Sequence, residues 1–230
     1  SGWALRTYEL WMYHVKGGSG VQLTRAKPTP TTPPAQRDNS LGVAVSLDGR
    51  YFYYARRTGG FQYNAMMPLW QVARRDRRTG DEDIITQAQT SAFRPVLSPD
   101  GSKLVYGTRL ETETGLRIRD LRTGEDKWLK VPVQRDDQES RFTRDLLPGY
   151  AFLPNGRELV LSSGGKVWRL DVESRNAQPI NWSARISRDL GPRLYFPWRV
   201  EQSPVRARLI QGPIASLDGM FERTITTFTL

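Results

Sequence analysis

Short apolar runs separated by clusters of turn residues recur along the chain, and no helical pattern stands out. Val45, Leu97 and Phe152 each stand three residues before an Asx-Gly pair, and Phe52, Leu104 and Leu159 each follow the Asx by four. The pairs are Asp48-Gly49, Asp100-Gly101 and Asn155-Gly156, with a fourth at Asp218-Gly219; they are spaced by 52, 55 and 63 residues. Asx-Gly supplies the positive φ angles of a tight hairpin turn, and the flanking apolar residues make its strands.

A second hairpin signal alternates with the first. It reads Asp76-Arg77-Arg78-Thr79-Gly80, then Asp120-Leu121-Arg122-Thr123-Gly124, then more loosely Asp171-Val172-Glu173-Ser174-Arg175. His14-Val15-Lys16-Gly17-Gly18 takes the same place near the start. Strands are expected before these turns at Leu10–Tyr13, Leu69–Ala73, Leu116–Ile118 and Val167–Leu170. Others are expected after them at Val21–Leu23, Ile84–Thr86, Trp128–Val131 and Gln178–Asn181. Two hairpins per repeat make a four-stranded antiparallel unit, and repetition of such units predicts an all-β β-propeller of about four blades.

The expected organisation is one propeller domain or segment over 1–230. A half blade spans about 3–26, blades about 39–89, 90–134 and 145–182, a long connection 183–210, and a second half blade 211–230. The two half blades could join, the chain could be a segment of a larger ring, or two chains could pair to close one. An open propeller has sheet edges that need cover. Lys27–Ala35 reads as a loop or extended segment, Arg135–Leu147 as the best helix candidate or a connecting loop, and 184–210 as a strand with insertions. Glu222 stands where an apolar residue is expected, so the last hairpin is the least regular.

Composition narrows the chemistry. Seven Trp, nine Tyr and eight Phe in 230 residues can build a core, which excludes a disordered chain. No apolar run reaches the roughly 18 residues of a membrane span. There is no Cys and one His, so a Cys/His zinc cluster is impossible within the chain. A nucleophile–His dyad could use only His14. The net charge is +10, and of 34 cations six are Lys and the remaining 28 Arg. That balance permits an anionic partner without requiring one. The chain opens on Ser1-Gly2 without a signal-like segment, so the start was removed or the chain was cut from something longer.

Each candidate site has a plainer explanation. His14 begins a turn where the other repeats have Asp, and a turn contact accounts for it better than base catalysis. Asp81-Glu82-Asp83 and Asp136-Asp137 lack the ligand order of a calcium loop and read as solvated charge. Arg74-Arg75-Asp76-Arg77-Arg78 lies on a hairpin, where alternation splits the arginines between faces, which disfavours nucleic acid. Trp11, Trp70, Trp128 and Trp168 fall in successive strands and suit packing between blades. Gly17-Gly18-Ser19-Gly20 lacks the Gly-Lys-Ser/Thr ending of a phosphate loop.

Ser98-Pro99-Asp100-Gly101-Ser102-Lys103-Leu104-Val105-Tyr106 resembles the repeat of TolB-type propellers, also found in tricorn and dipeptidyl-peptidase propellers. Leu47 and Leu217 stand in place of its proline. Three further stretches are similar, in this order, to the propeller region of large bacterial amidohydrolases. They are Glu9–Tyr13 with Gly17–Thr24, Phe61-Gln62-Tyr63-Asn64, and Gly164–Asp171. The resemblance implies a secreted or periplasmic parent with more blades and a C-terminal metal-dependent barrel. It places no metal ligand, cofactor or catalytic residue in this chain. The partner it implies is that hydrolase domain or another protein chain, with self-association an alternative. The expected role is a non-catalytic scaffold or substrate-access domain. The alternatives are a stand-alone TolB-like interaction module and, third, a basic nucleic-acid binder.

Overall fold

The structure is a computed structural model that describes residues 7–58, 70–135 and 149–191 and the strand pairs 214–215 and 222–223. The chain divides into two compact units, one ending at Ser183 and one beginning at Ala184.

The first unit is built of antiparallel sheets in chain order. A two-stranded hairpin pairs β1 (Trp11–Met12) with β2 (Val21–Gln22). The first full blade contains β3 (Asp38–Val45), β4 (Tyr51–Thr58), β5 (Gln71–Asp76) and β6 (Glu82–Ile84). The second contains β7 (Phe93–Leu97), β8 (Lys103–Leu110), β9 (Glu113–Asp120) and β10 (Asp126–Arg135). The third contains β11 (Tyr150–Phe152), β12 (Glu158–Ser163), β13 (Lys166–Asp171) and β14 (Ala177–Ile180). Each full blade is a four-stranded meander, with strands neighbouring one another in sequence order. Both hairpin turns of a blade therefore lie at the same end of its strands.

Strand alternation explains how the blades stack. On β4, Phe52 and Tyr54 pack with Leu10 and Leu23 of the first hairpin, while Tyr53 points the other way, into a cluster with Leu104 and Tyr106 of β8. On β8, Val105 in turn faces the third blade and packs with Leu159, Leu161 and Leu170. Each middle strand thus feeds two inter-blade cores. Backbone bonds also tie the first hairpin to β3: the Ser40 N–H donates to Tyr8 O at 3.0 Å and Asp38 N–H to Ala26 O at 3.0 Å.

In the second unit β15 (Ile214–Ala215) pairs with β16 (Glu222–Arg223).

Outside the blades, one expectation needs correction and two are refined or lie partly outside the described residues. Residues 184–191 form no strand and are exposed, because the segment has neither a pairing edge nor an apolar face; 192–210 lie outside the described residues. Arg135 ends β10, which runs ten residues, and the rest of the helix candidate lies outside the described residues. Within the proline-rich stretch, Pro34–Gln36 forms a 3-10 turn, favoured by proline at its start.

Candidate interaction surface

The Asx-Gly turns share one geometry. Ser46, Ser98 and Leu153 N–H groups donate across the hairpin to Tyr51, Lys103 and Glu158 carbonyls at 2.8–2.9 Å. Gly49, Gly101 and Gly156 N–H groups return to the carbonyls of Ser46, Ser98 and Leu153 at 2.8–3.0 Å. Only the glycines take positive φ, at 68°, 73° and 67°. The loop is therefore a four-residue connection around a turn closed by a left-handed glycine, not a two-residue turn with both φ angles positive. The Asx side chain caps it. Asp48, Asp100 and Asn155 Oδ1 accept the N–H two residues on, from Arg50, Ser102 and Arg157, at 3.0–3.1 Å. Ser46 and Ser98 hydroxyls donate to Asp48 and Asp100 at 2.5 Å. These bonds favour the ionised form: Asp48 is held below the usual carboxylate range by Ser46 first. Asp100 is lowered to about 2 by Ser98 and then Ser102. Asp218 and Gly219 lie outside the described residues.

The second turns repeat the logic. Asp76, Asp120 and Asp171 Oδ1 accept from the N–H groups of Arg78, Arg122 and Glu173 at 2.7, 2.8 and 3.0 Å. His14 does the same with its Nδ1, accepting from Lys16 N–H at 3.1 Å. The turn closes through Gly80, Gly124 and Arg175, whose N–H groups donate to Asp76, Asp120 and Asp171 carbonyls at 2.8–2.9 Å. Arg175 is thereby held at φ 61° in the place of glycine.

The remaining charges brace blades. Tyr54 donates its hydroxyl to Glu82, which also pairs with Arg56 at 3.1 Å and Arg75 at 3.8 Å. In the second blade Tyr106 donates to Asp126 at 2.6 Å, and Asp126 pairs with Arg117 at 2.7 Å and Arg119 at 3.5 Å. Both phenols are pushed up, by burial first and the adjoining carboxylate second. The third blade replaces this set, at the same repeat positions, with Leu161, Leu170 and Ala177. Of the Asp81-Glu82-Asp83 run, Asp81 accepts from Thr79 at 2.6 Å and Asp83 pairs with Arg74 at 2.8 Å. Asp136 and Asp137 lie outside the described residues. Among the described residues no three His, Asp or Glu side chains gather as a ligand set.

Two surfaces open to contacts stand out among the described residues. The first hairpin exposes Trp11, Tyr13 and Val21. Between the first and second blades lies a cleft of about 420 Å³ lined by Tyr53, Arg74, Ile84, Gln87, Arg119 and Leu121. Sequence reasoning placed Arg74 in a basic run and overlooked Arg119, because the cleft joins strands more than forty residues apart.

No family model and no curated protein matches the chain. Solved structures do. TolB from Acinetobacter baumannii superposes with a TM-score of 0.55 at 17% identity, over 76% of this chain and 37% of that one. A TolB protein from Agrobacterium tumefaciens gives 0.50 at 16% identity, over 74% of this chain and 55% of that one. The fold is a TolB-like β-propeller. Its first unit, as described, is an incomplete propeller of three four-stranded blades and one two-stranded hairpin. The chain spans less than two thirds of the length of either TolB structure. At these identities the likeness establishes the TolB-like fold alone. No helix among the described residues is long and apolar enough to cross a membrane.

Proposed function

We propose that this chain is the non-catalytic propeller portion of an amidohydrolase-related protein, periplasmic or secreted, and serves it as a rigid scaffold or substrate-access domain. The observation that carries this reading is the commitment of the repeated carboxylates and His14 to turn backbone. Groups that would supply acid–base chemistry are spent on holding loops. The likeness of Glu9–Tyr13, Gly17–Thr24 and Gly164–Asp171 to amidohydrolase propellers supports the choice of parent. A divalent metal would belong to the parent's barrel. The single His uses its Nδ1 to accept a backbone bond, which supports that assignment.

The test is to read the source gene on both sides of the chain and to assay the purified chain on amide substrates. A downstream barrel bearing His-x-His, with an inert propeller, is the expected result. Enzyme-like amide hydrolysis by the chain alone would overturn the non-catalytic reading. A frame that codes for no barrel would leave the second reading, a stand-alone TolB-like interaction module. The exposed Trp11, Tyr13 and Val21 favour that alternative.

A further inference from the structure

The repeat lets one blade interface serve as a control for another. Tyr53 pairs with Arg74 across β4 and β5, and Leu104 pairs with Arg119 across β8 and β9. Tyr53 and Leu104 belong to the same inter-blade cluster. Arg74 and Arg119 therefore extend from facing sheet surfaces into the outer part of the gap between the first and second blades. One repeat further on, the same two positions are Ile118 and Leu170. Both pack into the core between the second and third blades. The fold can thus fill this space with apolar side chains and does so next door. There, Lys103 of β8 also bridges to Glu173 of the third blade at 2.5 Å. The matching positions here are Tyr51 and Arg122, which offer no opposite charge. The preceding interface has Met12 and Arg75 at the two positions, so the arginine pair is peculiar to this one among the described residues.

Both guanidiniums are oriented by neighbouring side chains. Arg74 lies over the Tyr51 ring at 5.2 Å, and its carboxylate partner Asp83 is 62% exposed. Arg119 is the weakest-held partner of Asp126, at 3.5 Å, because Arg117 and Tyr106 take that carboxylate at 2.7 and 2.6 Å. Among the described residues, Arg74, Arg117 and Arg119 face two carboxylates, Asp83 and Asp126, which leaves one positive charge over. Leu121 and Ile84 supply apolar wall and Gln87 an amide.

We propose that this cleft binds an acidic segment of a polypeptide, a side-chain carboxylate lying between Arg74 and Arg119 and the flanking residues on the apolar wall. Planar guanidiniums favour a carboxylate through paired, charge-assisted hydrogen bonds. A volume of about 420 Å³ exceeds the need of a free inorganic anion and suits a side chain with adjoining backbone. The inference is independent of the amidohydrolase reading, since it rests on this interface alone.

The test is fluorescence anisotropy of a labelled, end-blocked glycine-glutamate-glutamate-leucine-glycine peptide with the full chain at low salt. Its glutamine twin should bind at least about tenfold more weakly, the loss of one charge-assisted pair. The variant carrying Arg74→Ile and Arg119→Leu, which copies the neighbouring interface, should lose binding while melting no lower than the parent. Should it fail to fold, the single variants Arg74→Gln and Arg119→Gln should each weaken binding about tenfold. Arg25→Ala, a charge control away from the cleft, should change it by less than about twofold. No binding of the acidic peptide, or equal binding by a folded double variant, would overturn the proposal. Phosphate that displaces the peptide well below the sodium chloride concentration of equal effect would assign the cleft to a free oxyanion and overturn it too.

Discussion

Single residues show where the repeat is under tension. Arg175 sits at φ 61° where Gly80 and Gly124 hold the matching turns at 83° and 78°. A side chain in the left-handed region costs roughly 1–2 kcal/mol, partly offset by the entropy that glycine loses on folding. Arg175→Gly should raise stability by roughly 0.5–1 kcal/mol, read as a higher urea midpoint with an unchanged slope. Leu47 offers the complementary case. It is 83% exposed and stands where the next two repeats have Pro99 and Pro154. Leu47→Pro should stabilise by roughly 0.4–1 kcal/mol through the unfolded chain. A lower melting temperature for this variant would show that the first turn differs from the other two.

At the scale of the hairpin, the turns make the protein acid-sensitive. Asp48, Asp120 and Asp171 are held below their ordinary range by hydrogen bonds within the turns, Asp76 first by the Arg50 side chain and then by its own turn, and Asp100 is lowered to about 2 from 3.8. A folded-state pKa below the unfolded one contributes stability that is complete above the unfolded value. It is lost as pH falls through the folded value. Stability should therefore be flat near neutrality and decline from just below pH 4 toward pH 2. Asn155 performs the capping without a charge, accepting from Arg157 N–H at 3.0 Å. Asp100→Asn should accordingly fold normally at pH 7 and show a shallower acid decline. Urea midpoints measured across pH 2–7 decide it, and a decline as steep as the parent's would remove Asp100 as a contributor.

For the whole molecule, stability resides between blades rather than within them. A four-stranded blade has two faces and cannot bury either alone, so Tyr53 and Val105 depend on neighbours. On β12, Leu161 is 1% exposed and packs toward the second blade, while the next residue, Ser162, is exposed on the opposite face. Leu161→Ala should cost about 2–4 kcal/mol, mostly as cavity and lost burial. Ser162→Ala should stay within about 0.5 kcal/mol. Equal effects in chemical denaturation would mean that the third blade does not share its core with the second. The arginine cleft belongs to this scale too, since its two cations come from different blades.

Much of the fold is legible in the chain itself because hairpins are local. Asx-Gly and Asp-x-x-Thr-Gly segments place their own turns through backbone and side-chain bonds a few residues apart, and Phe52, Leu104 and Leu159 recur at a set distance from them. The alternation of Phe52, Tyr53 and Tyr54 already implies a sheet covered on both faces, as the clusters on either side of β4 show. The turn type was less accessible, since an Asx-Gly pair fits both a two-residue turn and the four-residue loop in which the glycine alone takes positive φ. What only tertiary structure decided is which faces meet. Arg74 looks like part of a basic run until stacking sets it opposite Arg119, and Ile118 and Leu170 show that the same positions can close. Contacts between strands distant in sequence depend on how blades pack, and no local pattern encodes that pairing.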